Sequence, residues 1–231
     1  MKLDYKIVKD IFLIGMSPFL LQAASSGVGL ITNKIVETNG GTYGVAVVTI
    51  INSYLPIMTM SVYSVAQAIQ PIIGFNYGAG NYKRVKNSLY IAIFVGIILS
   101  AIFWIVVMLF PKELIIFFNE KGTEESIKEG IKALRIYFSL IIPASLGIII
   151  PNYFQATGRP KYAVILNLLR QVVIFLLIVI IFSHIWKLDG VWYAQPFTDT
   201  LFFIVLVVFL YFERKELNRK SKETKITSKC Y

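Results

Sequence analysis

The sequence has 231 residues, of which 56% are hydrophobic and only 16% are charged, with a mean hydropathy of +0.68. A soluble domain carries roughly 25% charged residues, so this composition excludes an ordinary soluble globular protein and points to lipid as the solvent. The net charge of +10 would raise nucleic acid as a partner in a soluble chain; in a membrane chain its distribution decides the matter.

The opening MKLDYKIVKD is mildly charged and lacks the cleavage site of a secretory signal, so residues 1–10 read as a short N-terminal segment before a retained helix. Six apolar segments follow, from Ile11 to Thr32, Tyr43 to Phe75, Leu89 to Phe110, Ala133 to Phe154, Ala163 to Phe182 and Val191 to Phe212. Each reaches about the 20 residues that a ~30 Å hydrocarbon core requires of a helix. They are too long and too evenly apolar for barrel strands. The expected architecture is therefore all-α and polytopic, a membrane region over 11–212 followed by a basic tail over 213–231.

In the long second segment Pro56 and Pro71 predict a kink or break, since proline removes an amide donor and crowds the preceding turn. Pro18, Pro143, Pro151 and Pro196 mark other segments in the same way. The linker PKELIIFFNEKGTEESIKEGIK, from Pro111 to Lys132, predicts an interfacial piece and then a new helix capped by Thr123. The only histidine, His184, falls at a helix end and reads as interfacial; the only cysteine, Cys230, sits in the tail and builds no disulfide or metal site.

With the N-terminus placed in the cytoplasm, the inside regions are residues 1–10, Asn76 to Ser88, Gln155 to Tyr162 and the tail from Glu213. These hold about 15 Lys and Arg against 5 Asp and Glu, while the outside loops hold about 7 of each. The positive-inside rule then predicts cytoplasmic N- and C-termini in a plasma membrane. The basicity becomes topology plus attraction to anionic lipid, and nucleic acid is no longer needed as a partner. The tail reads as a solvated anchor. An even number of crossings suits either one half of a larger transporter or a protomer of a dimer.

No HExxH, GxxxxGK[ST], GxSxG or Cys/His cluster is present, so neither an enzyme nor a cofactor is expected. Polar residues inside the helices are the candidates for a substrate or cation pathway: Gln22, Asn52, Gln67, Gln70, Asn152, Gln155, Arg170, Gln171 and Asp199. The plain alternative for each is a hydrogen bond to a neighbouring helix. Tyr54, Met58, Met60, Tyr63, Phe138 and Tyr153 offer an aromatic and thioether wall to a flat ligand, or else ordinary packing. Arg170 and Asp199 each lie about 9 residues into their segments, ~14 Å deep, so they are expected to pair. In the rival arrangement Asp199 faces a cavity while Arg170 snorkels.

The stretch QPIIGFNYGAGNYKRV, with Gln70, Pro71, Gly74, Asn76, Gly78 and Ala79, ends the second segment and leads into a basic turn. Gly74 and Gly78 are spaced for close helix approach. The stretch resembles the signature at a cytoplasmic helix end of the MATE (multidrug and toxic compound extrusion) transporters. NYFQATGRPKYA resembles that family's turn after its tenth helix, LLRQVVIFL the start of its eleventh and GVWYAQPFTD the start of its twelfth. The resemblance covers helices seven to twelve, the C-terminal lobe of a twelve-helix, two-lobed fold.

It implies half of an H+- or Na+-coupled antiporter that exports organic cations or amphipathic drugs. The partners implied are the lipid bilayer, small cationic drugs, and either an N-terminal lobe or a second copy of the chain. Where some members carry a Glu on helix seven and an Asp on helix ten, this sequence has Gln22 and the Pro143–Ala144 region, so that coupling site is absent. The alternatives are a lipid-linked-saccharide flippase of the same superfamily, a non-transporting subunit and an inactive fragment.

Overall fold

A computed structural model of the chain describes residues 5–118 and 124–227, and every described element is a helix. The expected Thr123 cap lies outside the described residues.

The helical run Tyr5–Gly78 has 74 residues, which would stretch about 110 Å if straight. It doubles back at Gly41, whose φ of 55° and ψ of −151° only glycine adopts without strain. The limbs 5–40 and 42–78 are spans one and two, and they face each other: Thr32 and Asn33 of the first share a cavity with Val48 and Asn52 of the second. Span three is Tyr82–Leu109, and the short helix Pro111–Phe118 follows it. Span four is assembled from Glu124–Tyr137, Ile141–Ala144 and Leu146–Ala156, with a 51° bend after Tyr137. Span five begins at Pro160–Leu168, passes through a π-helical turn at Leu169–Phe175 and enters the helical run Leu176–Thr227. That run doubles back at Lys187, which divides span five from span six, 188–227. The return is so tight that a Cβ on Gly190 would overlap the backbone carbonyl of Phe182.

The turns at 41 and 187 meet at one end of the molecule. Leu188 seats against Gly40 and Gly44, where any Cβ would meet its methyls at 2.8 and 3.1 Å. Beside them Lys132 reaches Asp189 at 2.7 Å, tying the entry of span four to the same turn. Spans two, three and four close on one another where Gly96 faces Ile149 and Val62. Leu89, Ala92, Gly96 and Ser100 form the buried stripe of span three, whereas Ile91, Phe94, Ile98 and Ile102 on its other face are exposed. Spans five and six likewise expose Leu177, Ile181, Leu201 and Ile204. Apolar side chains facing outward in long stripes are what lipid solvates and water does not.

Proline behaves differently from the sequence expectation. Spans two, four and six contain Pro56 and Pro71, Pro151, and Pro196 respectively without a break. The break falls ahead of Pro143, whose ring displaces the carbonyl four residues back, that of Ser139. The Trp104 indole N–H donates to that freed carbonyl at 3.2 Å, so the bend is satisfied by span three. The tail also departs from a solvated anchor: the sixth helix runs unbroken to Thr227, with Glu213 and Leu217 buried.

Lys187 holds φ 52° and ψ −125°, a conformation costing a non-glycine residue about 1–3 kcal/mol. Lys187→Gly is expected to raise Tm by roughly 2–4 °C in a detergent melt. An unchanged or lower Tm would show that the turn is not strained at that residue.

Candidate functional site

Arg170 sits in the π-helical turn of span five, and Asp199 sits one turn past Gln195 on span six. The Arg170 Nη2 donates to Asp199 Oδ1 at 2.8 Å, and the Gln195 amide donates to Asp199 Oδ2 at 3.0 Å. The pair expected from matched depth is therefore formed, and the rival placement, Asp199 facing a cavity, is not: its side chain is only 2% exposed. Arg170 is 22% exposed, lies 5.9 Å from the centre of the Phe202 ring, and passes over Gly147, where a Cβ would stand 3.7 Å from its Cδ.

Two cavities share Arg170 in their walls. One, of about 370 Å³, lies between spans one, two, four, five and six and is lined by Asn33, Asn52, Tyr63, Arg170, Gln171 and Gln195 among others. The other, of about 290 Å³, is lined by Gln22, Ser25, Tyr63, Gln155, Asn167 and Arg170 among others. Gln171, Tyr63 and Ile148 line both. Of the residues singled out in the sequence, Gln22, Asn52, Gln155, Arg170 and Gln171 thus come together, and Asp199 stands behind Arg170. Gln70 and Asn152 serve each other instead: the Gln70 amide donates to Asn152 Oδ1 at 2.9 Å, joining spans two and four. Gln67 lines neither cavity. Met58 and Tyr63 line the larger cavity, but Tyr54, Phe138 and Tyr153 are packed in the core and Met60 points outward.

The motif turn after Gln70 and Pro71 is built at the opposite, basic end. Gly74 allows close approach, since a Cβ there would stand 3.3 Å from the Ala156 carbonyl; Gly78 has open space around it and plays no such part. The Asn76 side-chain amide donates to Ile72 O at 2.8 Å, and the Asn76 backbone carbonyl accepts from Asn81 N at 2.8 Å. Ala79 N closes on Phe75 O at 3.0 Å, and Gly80 reverses the chain with φ 72°.

Packed on that turn is a cluster that the sequence reading missed. Both terminal nitrogens of Arg159 donate to the Glu213 carboxylate, which also accepts from the Tyr153 hydroxyl. The Arg159 guanidinium lies 5.0 Å from the Phe154 ring centre and 5.6 Å from that of Tyr77. Lys220 donates to the Tyr77 hydroxyl at 2.8 Å. The signal lay in the helical spacing: Phe202, Leu206, Glu213 and Leu217 are one buried stripe that continues past the apolar segment.

A family model matches residues 19–186, more than half of the chain. The chain belongs to the MatE family. Among curated relatives, the MatE lobe is 21% identical over 213 residues to the multidrug export protein MepA of Staphylococcus saprophyticus, covering 92% of this chain and 46% of that protein. It is 24% identical over 150 residues to an FAD transporter of Shewanella oneidensis, covering 63% of this chain and 32% of that protein. Among solved structures, an outward-facing multidrug resistance MATE family transporter of the MOP superfamily superposes with a TM-score of 0.83 at 23% identity. That match covers 95% of this chain and 49% of the other, so the fold is that of one lobe. The chain spans about half the length of the relatives it matches.

Proposed function

We propose that this chain is one of two lobes of a membrane exporter, moving amphipathic solutes outward in exchange for H+ or Na+. The observation that carries the reading is the pair of cavities that share Arg170, Gln171 and Tyr63 in their walls, inside a lobe whose outer faces are apolar. Polar groups within membrane-spanning helices are costly unless they serve packing or a pathway, and Gln22, Asn52, Gln155 and Gln171 line these cavities rather than bonding a neighbouring helix among the described residues. The second lobe is either an N-terminal half or another copy of this chain. In this reading the protein lies in the plasma membrane with both termini cytoplasmic, because the basic end gathers the motif turn, Arg159 and the tail.

Orientation is tested by labelling single cysteines at Lys83 and at His184, both exposed and at opposite ends, in a Cys230→Ser background. Lys83→Cys should react with an impermeant maleimide only after the cells are opened, and His184→Cys in intact cells. The reverse pattern overturns the orientation. Transport is tested by substituting Gln171→Leu in the working assembly. Solute efflux should fall about tenfold, the loss of one or two buried hydrogen bonds, while folded yield holds. Unchanged efflux would remove the cavity from the pathway.

A further inference from the structure

We propose that Arg170 is a binding group for an anionic moiety, a carboxylate or a phosphate, on the solute that enters these cavities. The inference rests on the transport reading above and names the charge of the substrate.

Among the described residues two half-buried arginines, Arg159 and Arg170, are used differently. Arg159 spends both terminal nitrogens on both oxygens of Glu213, a completed fork. Arg170 spends one bond, from Nη2 to a single oxygen of Asp199, because Gln195 occupies the other oxygen. A guanidinium has five N–H donors. Nη1 of Arg170 makes no hydrogen bond among the described residues, and Nη2 keeps a second N–H; Nε is buried without a partner and is closed to a solute. The pair is also asymmetric in access: Asp199 is 2% exposed and Arg170 is 22% exposed. The pair is thus a dipole whose negative end is sealed between the helices and whose positive end stands in the cavity wall.

Neither cavity is lined by Asp or Glu among the described residues, and Arg170 lines both. The rest of the polar lining is neutral: Gln22, Asn52, Gln155, Asn167, Gln171 and Gln195. An organic cation would meet no counter-charge on this lobe and one guanidinium. A carboxylate or phosphate would meet the free terminal N–H groups on Nη1 and Nη2 in a low-dielectric wall, the setting in which charge-assisted bonds are strongest. Gln171, which has no hydrogen-bond partner among the described residues, lines both cavities with Arg170. The site therefore fits an amphipathic anion or zwitterion rather than a simple cation.

The test uses the whole chain in phosphatidylcholine nanodiscs and two dyes of similar flat shape, anionic carboxyfluorescein and cationic rhodamine 6G. Binding is read by fluorescence anisotropy after subtraction of empty discs. Carboxyfluorescein should bind at least about tenfold tighter, the value of one or two charge-assisted bonds. FAD should compete more strongly than riboflavin, which shares its ring and lacks its phosphates. The double variant Arg170→Gln with Asp199→Asn removes both charges without leaving either one buried alone, and should bring the two dyes within about twofold of each other. Equal binding, tighter binding of rhodamine, or a preference unchanged in the double variant overturns the inference and leaves the transport reading standing. Binding of neither dye removes the cavity as a solute site and takes the transport reading with it. If the double variant does not fold, the dye ratio of the unmodified chain decides alone. If phosphatidylglycerol added to the discs displaces carboxyfluorescein, the anion held is a lipid headgroup and the solute assignment falls.

Discussion

Gly190→Ala is expected to leave little folded protein. A methyl there would overlap the Phe182 carbonyl, and it would also stand within 2.8 Å of the Ser183 nitrogen. These are backbone atoms of the opposing limb, so no side-chain rotation relieves the clash and the whole hairpin of spans five and six must open. Overpacking costs about 1–3 kcal/mol when side chains can give way, and more when they cannot. Opening this hairpin also separates Arg170 from Asp199 and lifts Leu188 from Gly40 and Gly44. The control is Gly27→Ala, where nothing lies within 4 Å of the added methyl. Size-exclusion yield in mild detergent should collapse for the first variant and hold for the second. Equal yields would mean that the 182–190 turn is looser than its geometry states.

Glu213→Ala is expected to be the next most damaging change, costing about 3–5 kcal/mol, the range for leaving one member of a buried ion pair alone. Glu213 accepts from Arg159 twice and from Tyr153, and its side chain is 7% exposed. Without it the guanidinium stays against Phe154 and Tyr77 with no counter-charge. Arg159→Gln combined with Glu213→Gln should recover much of the loss, because two neutral amides replace two charges. Thermal melts of the singles and the double decide this. If the double variant loses as much as the sum of the singles, Arg159 and Glu213 act separately, and the basic end is not held by their pairing.

The helical, six-span character of this chain was legible because lipid imposes it: only long apolar helices satisfy their backbone in hydrocarbon. The turn at Gly41 follows Asn39 and Gly40, a visible break between apolar runs. Lys187 gave no such sign, for a lysine carries no mark of positive φ, and the glycine that permits the reversal stands three residues on. Proline misled in the same physical way. Its missing donor is a local fact, whereas whether the helix breaks depends on a neighbour that can take the freed carbonyl. Trp104 does so for Ser139, and no local pattern reports it.

The candidate site divides similarly. Depth along a helix is read by counting residues, so Arg170 and Asp199 could be matched. Rotation about the helix is not, so Gln67 and Gln70 looked equivalent to Gln155 although one lines neither cavity and the other is spent on Asn152. Glu213 was hidden because the charge run after Phe212 masked the buried stripe that passes through it.

The central claim is that this lobe moves solute only together with a second lobe. The most direct measurement is dye transport in proteoliposomes loaded at less than one chain per vesicle, with a pH or Na+ gradient imposed. No carboxyfluorescein or rhodamine movement above that of empty vesicles is expected at that loading. Transport by vesicles that hold a single copy would contradict it, because one lobe alone would then form the complete pathway.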